Sequence, residues 1–173
     1  MAERKPTPMR QQRRTVLMVG EGYAECVFLR HLKALYVGRS SNKTVTIKNA
    51  HGKGGRHVLK TALDEVRHKG AAYDVVAVLL DTDTDWDDAL RAKARKAKVM
   101  VFESTPCLEA ELLRIAHHRA PQVSAQCKRE FAQRFGLDAH DPDVWPAHFQ
   151  KAVLDQAKNR VPVLANLLAL LTS

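Results

Sequence analysis

The sequence predicts an α/β fold, a three-layer sandwich around a four-stranded, mainly parallel sheet with a helical extension at its C-terminal end. Four short apolar runs rich in β-formers alternate with segments whose apolar residues recur every three or four positions, which is typical of parallel strands covered by helices. One run, DVVAVLL, is apolar throughout, as expected of a strand buried on both faces. After Pro121 only helical periodicity remains.

The N-terminal part of the chain contains two predicted strand and helix pairs. Residues 1–14 carry five Lys or Arg and two Pro and are predicted to be a disordered basic arm. RTVLMVG is the first predicted strand, and YAECVFLRHLKALYVG is a helix that stops at Gly38. KTVTIKNA is the second strand, HGKGG a glycine-rich turn, and RHVLKTALDEVRHKG a helix that ends at Gly70.

The rest of the chain completes the sheet and adds helices. DVVAVLL is followed by the predicted helix DWDDALRAKARKAK, and the strand VMVFES by the helix PCLEAELLRIAHH, which Pro106 opens at or near its first turn. Two or three short helices are expected in SAQCKREFAQRFG, WPAHFQKAVLDQAKNR and VPVLANLLALLTS. We therefore predict an α/β domain over residues 15–120, with residues 121–173 as helices packed on the same domain.

Composition narrows the class of protein. Lys and Arg number 28 against 19 Asp and Glu, a net charge of +9 that favours a polyanionic partner such as nucleic acid. The cysteines are odd in number, far apart and without CxxC spacing, so neither a disulfide framework nor a zinc knuckle is indicated. TVLMV is too short for a signal peptide and VPVLANLLALL too short to span a bilayer. We expect a cytoplasmic protein with no membrane partner.

Acidic residues are concentrated where predicted strands end. Glu21 follows the first strand and Glu25 lies about one helical turn later, while Asp81 and Asp83 follow the third strand. The two aspartates are about 7 Å apart on the same side of an extended chain. Ligands of open parallel sheets bind beyond the carboxyl ends of the strands. If the first and third strands are neighbours, Glu21 faces Asp81 and Asp83 across a crevice.

Two further acidic residues are expected to join this crevice, Glu103 at the fourth strand tip and Glu109 in the following helix. So many carboxylates repel one another, and a hard divalent cation, Mg²⁺ or Mn²⁺, removes the conflict. Such a cation polarises a phosphoryl oxygen, and a nearby Glu can shuttle protons. Helix capping is the competing explanation, and we favour it for the remaining acidic residues of the run, Asp85, Asp87 and Asp88.

Three known ligand-binding motifs do not match these segments of the sequence. DTDTDW lacks the Gly and the closing Glu of an EF-hand loop, and GEGYAE lacks the third Gly of a dinucleotide fingerprint. HGKGG is not a Walker A loop, although its N–H groups and Lys53 could hold a phosphate at a helix start. A flexible turn is the alternative there.

Basic residues lie on both sides of the acidic run. They form either a solvated face or a track for a phosphate backbone. Sparse aromatics give little support to base stacking as the main mode of recognition. His117 and His118 follow a helix and are either surface residues or groups near a leaving group. The candidate nucleic-acid-binding residues are Lys53, Arg56, Arg91, Lys93, Arg95 and Lys96, with Lys98 in the same helix.

The arrangement resembles a known domain. A Glu at the end of the first strand, an Asp-x-Asp at the end of a later one and a helix between them resemble the Toprim domain of primases, topoisomerases and OLD-type nucleases. VGEGYAECVFLRHL, VVAVLLDTD and STPCLEAELL are similar to segments of the RloB-like family, a Toprim branch found beside restriction and phage-defence genes. The resemblance covers residues 14–120.

The resemblance implies roles for matching positions. Glu21 would be the general acid or base and a metal ligand, Asp81 and Asp83 would be metal ligands, Glu109 the acid of the second helix, and Glu25 an auxiliary ligand. Leu108, Glu111 and Ile115 depart from the family pattern, and Ile115 lies near a usual His, a role for which His117 and His118 are candidates.

The implied function is Mg²⁺-dependent nucleic-acid phosphodiester cleavage in a phage-defence or restriction-associated system, with DNA and RNA both open. One alternative is a non-catalytic Toprim-type subunit that binds nucleic acid or a defence ATPase. Another is a phosphatase or phosphotransferase acting on a small phosphoester. A homo-oligomer is compatible with the sequence, which does not predict substrate preference, the activation trigger or whether one chain completes the site.

Overall fold

The four apolar runs pair into one sheet, as the sequence predicts, and every pairing in it is parallel. The structure is a computed structural model that describes residues 12–69 and 72–173. The strand order is β2-β1-β3-β4, so β1 and β3 are neighbours. The strands are β1 (Arg14–Gly20), β2 (Lys43–Asn49), β3 (Val75–Asp81) and β4 (Val99–Ser104). The prediction of an α/β fold with C-terminal helices is confirmed.

Four helices follow the strands and four more form the C-terminal segment of the described chain. The last four replace the two or three that were predicted, because WPAHFQKAVLDQAKNR breaks into two helices around Phe149. The helices are α1 (Tyr23–Tyr36), α2 (Gly55–Lys69), α3 (Asp88–Lys96), α4 (Leu108–Ile115), α5 (Ser124–Phe135), α6 (Val144–His148), α7 (Lys151–Ala157) and α8 (Pro162–Thr172).

Three boundaries differ from the prediction. Pro106 lies outside α4, which begins at Leu108 with Cys107 as its N-cap. The helix predicted over DWDDALRAKARKAK is shorter, because Asp87 caps it and Lys98 has a φ of 57°. Arg14, which the prediction placed both at the end of the basic arm and at the start of the strand RTVLMVG, belongs to β1. The rest of that arm up to residue 11, and the predicted helix end at Gly70, lie outside the described residues.

Helices cover both faces of the sheet, because successive side chains of a strand point to opposite sides. Met18, Leu79 and Phe102 lie on one face, which we call the α1 face, in a cluster shared with α1, α4 and the C-terminal helices. Val19 and Leu80 lie on the other, which we call the α2 face, under α2 and α3. This parity decides which strand-end side chains can meet.

The C-terminal helices belong to the same hydrophobic cluster as the α1 face. Trp145 stacks on Phe28 of α1 with ring centroids 5.4 Å apart, and Phe149 lies 5.4 Å from Trp145. The buried Lys43 of β2 donates a hydrogen bond to the Leu170 carbonyl of α8. The search of residues 12–69 and 72–173 for a membrane-crossing helix finds none of sufficient length and apolarity.

Candidate carboxylate site at the switch point of the sheet

The direction of strand addition reverses between β1 and β3. From β1 the chain passes to β2 on one side and then returns to β3 on the other, which opens a crevice at the carboxyl ends of β1 and β3. The first residue beyond β1 continues the ladder, because the Glu21 N–H donates to the Leu79 carbonyl at 2.9 Å. At Gly20 an added Cβ would lie 2.9 Å from Cys26 Sγ, so glycine lets α1 pack directly against the strand end.

Four of the predicted site residues meet in this crevice. Glu21, Glu25, Asp81 and Glu109 line one cavity of about 220 Å³, which we call the carboxylate pocket. Three of these side chains are buried, Glu21, Glu25 and Glu109. Asp81 has the parity of Leu79 and therefore lies on the α1 face, and Glu25 and Glu109 come from α1 and α4, which pack on that face.

Two of the four carboxylates are fixed by backbone hydrogen bonds. The Glu21 carboxylate accepts from the Asp81 N–H at 2.9 Å, which joins the tips of β1 and β3. The Glu25 carboxylate accepts from the Gly22 N–H at 2.8 Å at the start of α1. In contrast, Asp81 Oδ1 is buried and has no hydrogen-bond partner. The hydroxyl of Ser104, the residue paired with Asp81 in β4, is also buried without a hydrogen-bond partner. A buried acceptor without a partner is costly and points to a missing ligand.

The electrostatics of the pocket favour protonation of its carboxylates. Burial, reinforced by the neighbouring carboxylates of Glu25, Glu21 and Glu109, raises the pKa of Asp81 to about 9. Burial also raises the pKa of Glu21, against the lowering effect of the hydrogen bond from Asp81, and raises the pKa of Glu25. Without a cation the Asp81 carboxyl group therefore holds a proton that a free aspartate would release at neutral pH.

Three residues that sequence reasoning missed also line the pocket, Tyr23, Lys128 and His140. Burial alone would lower the pKa of Lys128, but the carboxylates of Glu109 and Asp81 outweigh burial and raise it. No motif marks Lys128 or His140, which belong to the C-terminal segment. The one sequence feature that links Lys128 to the site is its spacing from Ser124, which places the two residues one turn apart on α5. That spacing predicts a pocket residue only when α5 is known to lie at the crevice.

Asp83 lies beside the pocket rather than in its lining. Its side chain is exposed and accepts a hydrogen bond from the Ser124 hydroxyl at the start of α5. Its charge raises the pKa of Glu21, so it is electrostatically coupled to the pocket. The two aspartates that sequence reasoning grouped as one pair therefore differ, since Asp83 has a protein partner for its carboxylate and Asp81 Oδ1 has none.

The expectation that Glu103 joins the crevice is wrong. Glu103 lies one residue after Phe102 and therefore points to the α2 face. There its carboxylate accepts from Trp86 Nε1 and from Arg91 Nε, both at 2.7 Å, and these two bonds lower its pKa, with the Arg91 bond having the larger effect.

The remaining aspartates of the run have capping roles, but on two helices. Asp87 is the N-cap of α3 and accepts from the Leu90 N–H at 2.8 Å, and Asp88 lies in the first turn. Asp85 does not belong to α3 as predicted. It accepts from the Arg56 N–H at 3.1 Å and so caps α2 instead.

The glycine-rich turn has no free helix start to offer a phosphate. The Gly55 N–H donates to the Thr84 hydroxyl at 3.3 Å and the Arg56 N–H to Asp85, while the Arg56 guanidinium lies 3.5 Å from the same carboxylate. The predicted phosphate site at this helix start is therefore already filled by the protein. Lys53 is exposed in the same turn.

Gly54→Ala is expected to destabilise the protein by roughly 2 to 3 kcal/mol. A φ of 84° costs an L-residue about 1 kcal/mol, and the new Cβ would lie 2.5 Å from Asp85 Oδ1, disrupting a cap that contributes about 1 kcal/mol. Gly52→Ala is the matched control, because its φ is 67° but no atom lies within 4 Å of the added Cβ. Urea unfolding should show the smaller loss for Gly52→Ala, and equal losses would contradict the cap.

The other predicted basic residues and histidines lie outside the carboxylate pocket. Arg91 is held by Glu103 and by Asp88, which lies 3.0 Å from it, so it is not free to track a backbone. His117 and His118 follow α4 and are likewise absent from the pocket lining. Three of the predicted nucleic-acid-binding residues lie on α3 and are exposed, Lys93, Arg95 and Lys96.

The donor set fits a hard cation. Among the residues that the structure describes, no group of three or more Asp, Glu, His or Cys side chains is arranged so that it could hold a metal ion. Mg²⁺ does not need one, since it is commonly bound by one or two carboxylates together with water and substrate phosphates. The unpartnered Asp81 Oδ1 and the other carboxylate oxygens of the pocket are donors of the type that such a cation binds.

Comparison of the chain with protein-family models, curated proteins and solved structures finds no match in any of the three. The resemblance to Toprim domains and to RloB-like proteins therefore stays a prediction.

Proposed function

We propose that the protein is a Mg²⁺- or Mn²⁺-dependent nuclease that cleaves phosphodiester bonds of nucleic acid at the carboxylate pocket. The observation that carries the proposal is Asp81 Oδ1, which is buried without a partner beside three further carboxylates at the switch point of the sheet. A hard cation supplies the missing partner and offsets the mutual repulsion of the acids.

Each residue of the pocket has a distinct part in this proposal. Asp81 and Glu21 would hold the cation. Asp83 would join them after giving up its hydrogen bond with Ser124. The carboxylates of Glu25 and Glu109 would add negative charge around the cation. A cation held by these residues would supply Lewis-acid polarisation of a phosphoryl oxygen. Glu21, whose pKa burial raises, would act as the general acid or base, a role for which enzymes commonly raise the pKa of a Glu.

Nucleic acid is the proposed substrate because of the charge distribution. The chain carries a net charge of +9, and the exposed Lys53 adjoins Gly52 at the pocket wall. Lys93, Arg95 and Lys96 add exposed positive charge on α3. A cytoplasmic role in phage defence beside an ATPase partner is part of the proposal and rests on the family resemblance. All three cysteines are free and buried, in keeping with a reducing compartment.

End-labelled DNA and RNA incubated with the purified chain test the proposal. Cleavage should require Mg²⁺ or Mn²⁺ and stop in EDTA, and its KM should rise with salt as backbone contacts are screened. Cleavage that persists in EDTA, or its absence on every substrate, contradicts a metal-dependent nuclease. Turnover of a small phosphoester with no dependence on salt would point to a phosphatase instead.

Lys128 favours a second candidate function, a non-catalytic subunit that binds nucleic acid or a partner ATPase. Its ammonium group already contributes positive charge to the pocket, where the carboxylates raise its pKa. A pocket neutralised by its own lysine needs no metal, so in this alternative the carboxylates only anchor α5 to the sheet.

Lys128→Met separates the two functions. In the nuclease the substitution should strengthen Mg²⁺ binding about fivefold, because a positive charge near the cation is removed, a gain of about 1 kcal/mol at a protein surface. Calorimetric titration measures the change, and Lys93→Met is the matched control on α3. If the wild-type chain binds no Mg²⁺ and Lys128→Met only lowers the melting temperature, the non-catalytic function is supported.

A further inference from the structure

Two aromatic rings lie at the mouth of the carboxylate pocket. Tyr23 is the first residue of α1 and is 51% exposed. His140 comes from the loop between α5 and α6, and its side chain is 59% exposed. The rings are parallel within 7° with centroids 6.1 Å apart, and both line the pocket.

The placement of Tyr23 is not explained by packing. It belongs to neither hydrophobic cluster of the described residues, and a ring that keeps half of its surface in water gains little from burial. An exposed aromatic ring next to a proposed phosphodiester site is the kind of surface on which unpaired bases stack.

The surroundings leave room for a sugar-phosphate backbone. The wall beside Tyr23 is built from Gly22 and Gly52, and a Cβ added at Gly52 would meet no atom within 4 Å. Lys128 lies in the same pocket and can pair with a phosphate. Stacking rings, open backbone, the Lys128 ammonium group and carboxylates therefore line one cavity, and these are groups that a base, a sugar and a phosphate can contact.

We infer that Tyr23 and His140 form a platform for an unpaired nucleobase flanking the scissile phosphodiester, so that the substrate is single-stranded nucleic acid or an unpaired end. The inference rests on the proposed function and makes its substrate class narrower. Bases inside a duplex are stacked on their neighbours and cannot reach the platform without being flipped out. Duplex would therefore bind only through its backbone.

Binding in EDTA tests the platform without requiring cleavage. Fluorescence anisotropy is measured with a labelled single-stranded oligonucleotide, the same oligonucleotide with abasic residues at its centre, and a duplex. Tyr23→Ala should weaken binding of the base-bearing single strand roughly 5- to 100-fold, the scale of one base-aromatic stack, and leave the abasic strand and the duplex unchanged. Tyr23→Phe keeps the ring and should bind within about twofold of wild type, whereas His140→Ala should show a part of the Tyr23→Ala loss.

Three outcomes overturn the platform: unchanged binding by Tyr23→Ala, an equal loss for base-bearing and abasic strands, or no preference for single strands in the wild type. A lower melting temperature without a base-dependent loss would mean that the ring pair only secures the loop. Metal-dependent cleavage that is indifferent to Tyr23 would remove this inference and leave the nuclease standing. Base-dependent binding with no cleavage would support the platform and remove the nuclease.

Discussion

Asp81→Asn is expected to reduce Mg²⁺-dependent cleavage of nucleic acid by roughly a hundredfold or more, the scale of losing a catalytic or charge-stabilising group. Asp81 supplies the one buried carboxylate oxygen of the pocket without a partner, and a neutral amide binds a hard cation far more weakly than a carboxylate does. Initial rates at saturating Mg²⁺ or Mn²⁺ measure the effect.

Asp88→Asn is the matched control for this substitution. It makes the same chemical change in the same acidic run, but the Asp88 side chain is fully exposed at 100%, lies 3.0 Å from Arg91 and does not line the carboxylate pocket. Its activity should stay within about twofold of wild type, as expected of surface substitutions. Equal activity in both variants, or an equal loss in both, would show that the pocket carboxylate is not the catalytic group.

The metal-free protein is expected to lose stability as pH rises from about 5 to 9, and Asp81→Asn should flatten that loss. The pKa of Asp81 is about 9 in the folded chain against 3.8 for an ordinary aspartate, so between these values the folded state holds a proton that the unfolded state has released. Stability then falls with rising pH, by up to about 1.4 kcal/mol per pH unit for one group. Urea unfolding in EDTA across this range measures the slope.

Asp81→Asn should melt above wild type without metal and below it when metal is added. In EDTA at about pH 8, Asp81→Asn should melt several degrees above wild type, since one or two kcal/mol corresponds to that shift in a chain of this size. Millimolar Mg²⁺ should raise the melting temperature of wild type and not that of the variant. An identical pH slope in the two proteins would mean that Asp81 is not held protonated by its surroundings.

Local patterns in the sequence were sufficient to predict the four strands of the sheet and the proximity of Glu21 and Asp81. A continuous apolar run identifies β3 as a central strand, and the carboxyl ends of neighbouring parallel strands bring Glu21 and Asp81 together. Glu103 was misplaced although the needed information was local. Counting parity from Phe102 would have directed it to the α2 face, where Arg91 and Trp86 hold it.

Other features depend on tertiary placement and could not be predicted. Asp85 caps α2 rather than α3 because the loop after β3 passes the start of α2. Lys128 and His140 reach the pocket because Ser124, the first residue of α5, donates a hydrogen bond to Asp83 and holds the start of that helix at the crevice. Their approach is set by how the C-terminal helices pack on the α1 face, and no spacing along the chain encodes that distance.

Calorimetric titration of Mg²⁺ and Mn²⁺ into the metal-free wild-type chain, Asp81→Asn and Asp88→Asn tests the central claim most directly. Wild type and Asp88→Asn should bind the cation with similar affinity, and Asp81→Asn should bind at least about tenfold more weakly, a loss of about 1.4 kcal/mol. No binding to wild type at millimolar concentration, or equal binding by wild type and Asp81→Asn, would contradict a metal site built on the unpartnered oxygen of Asp81.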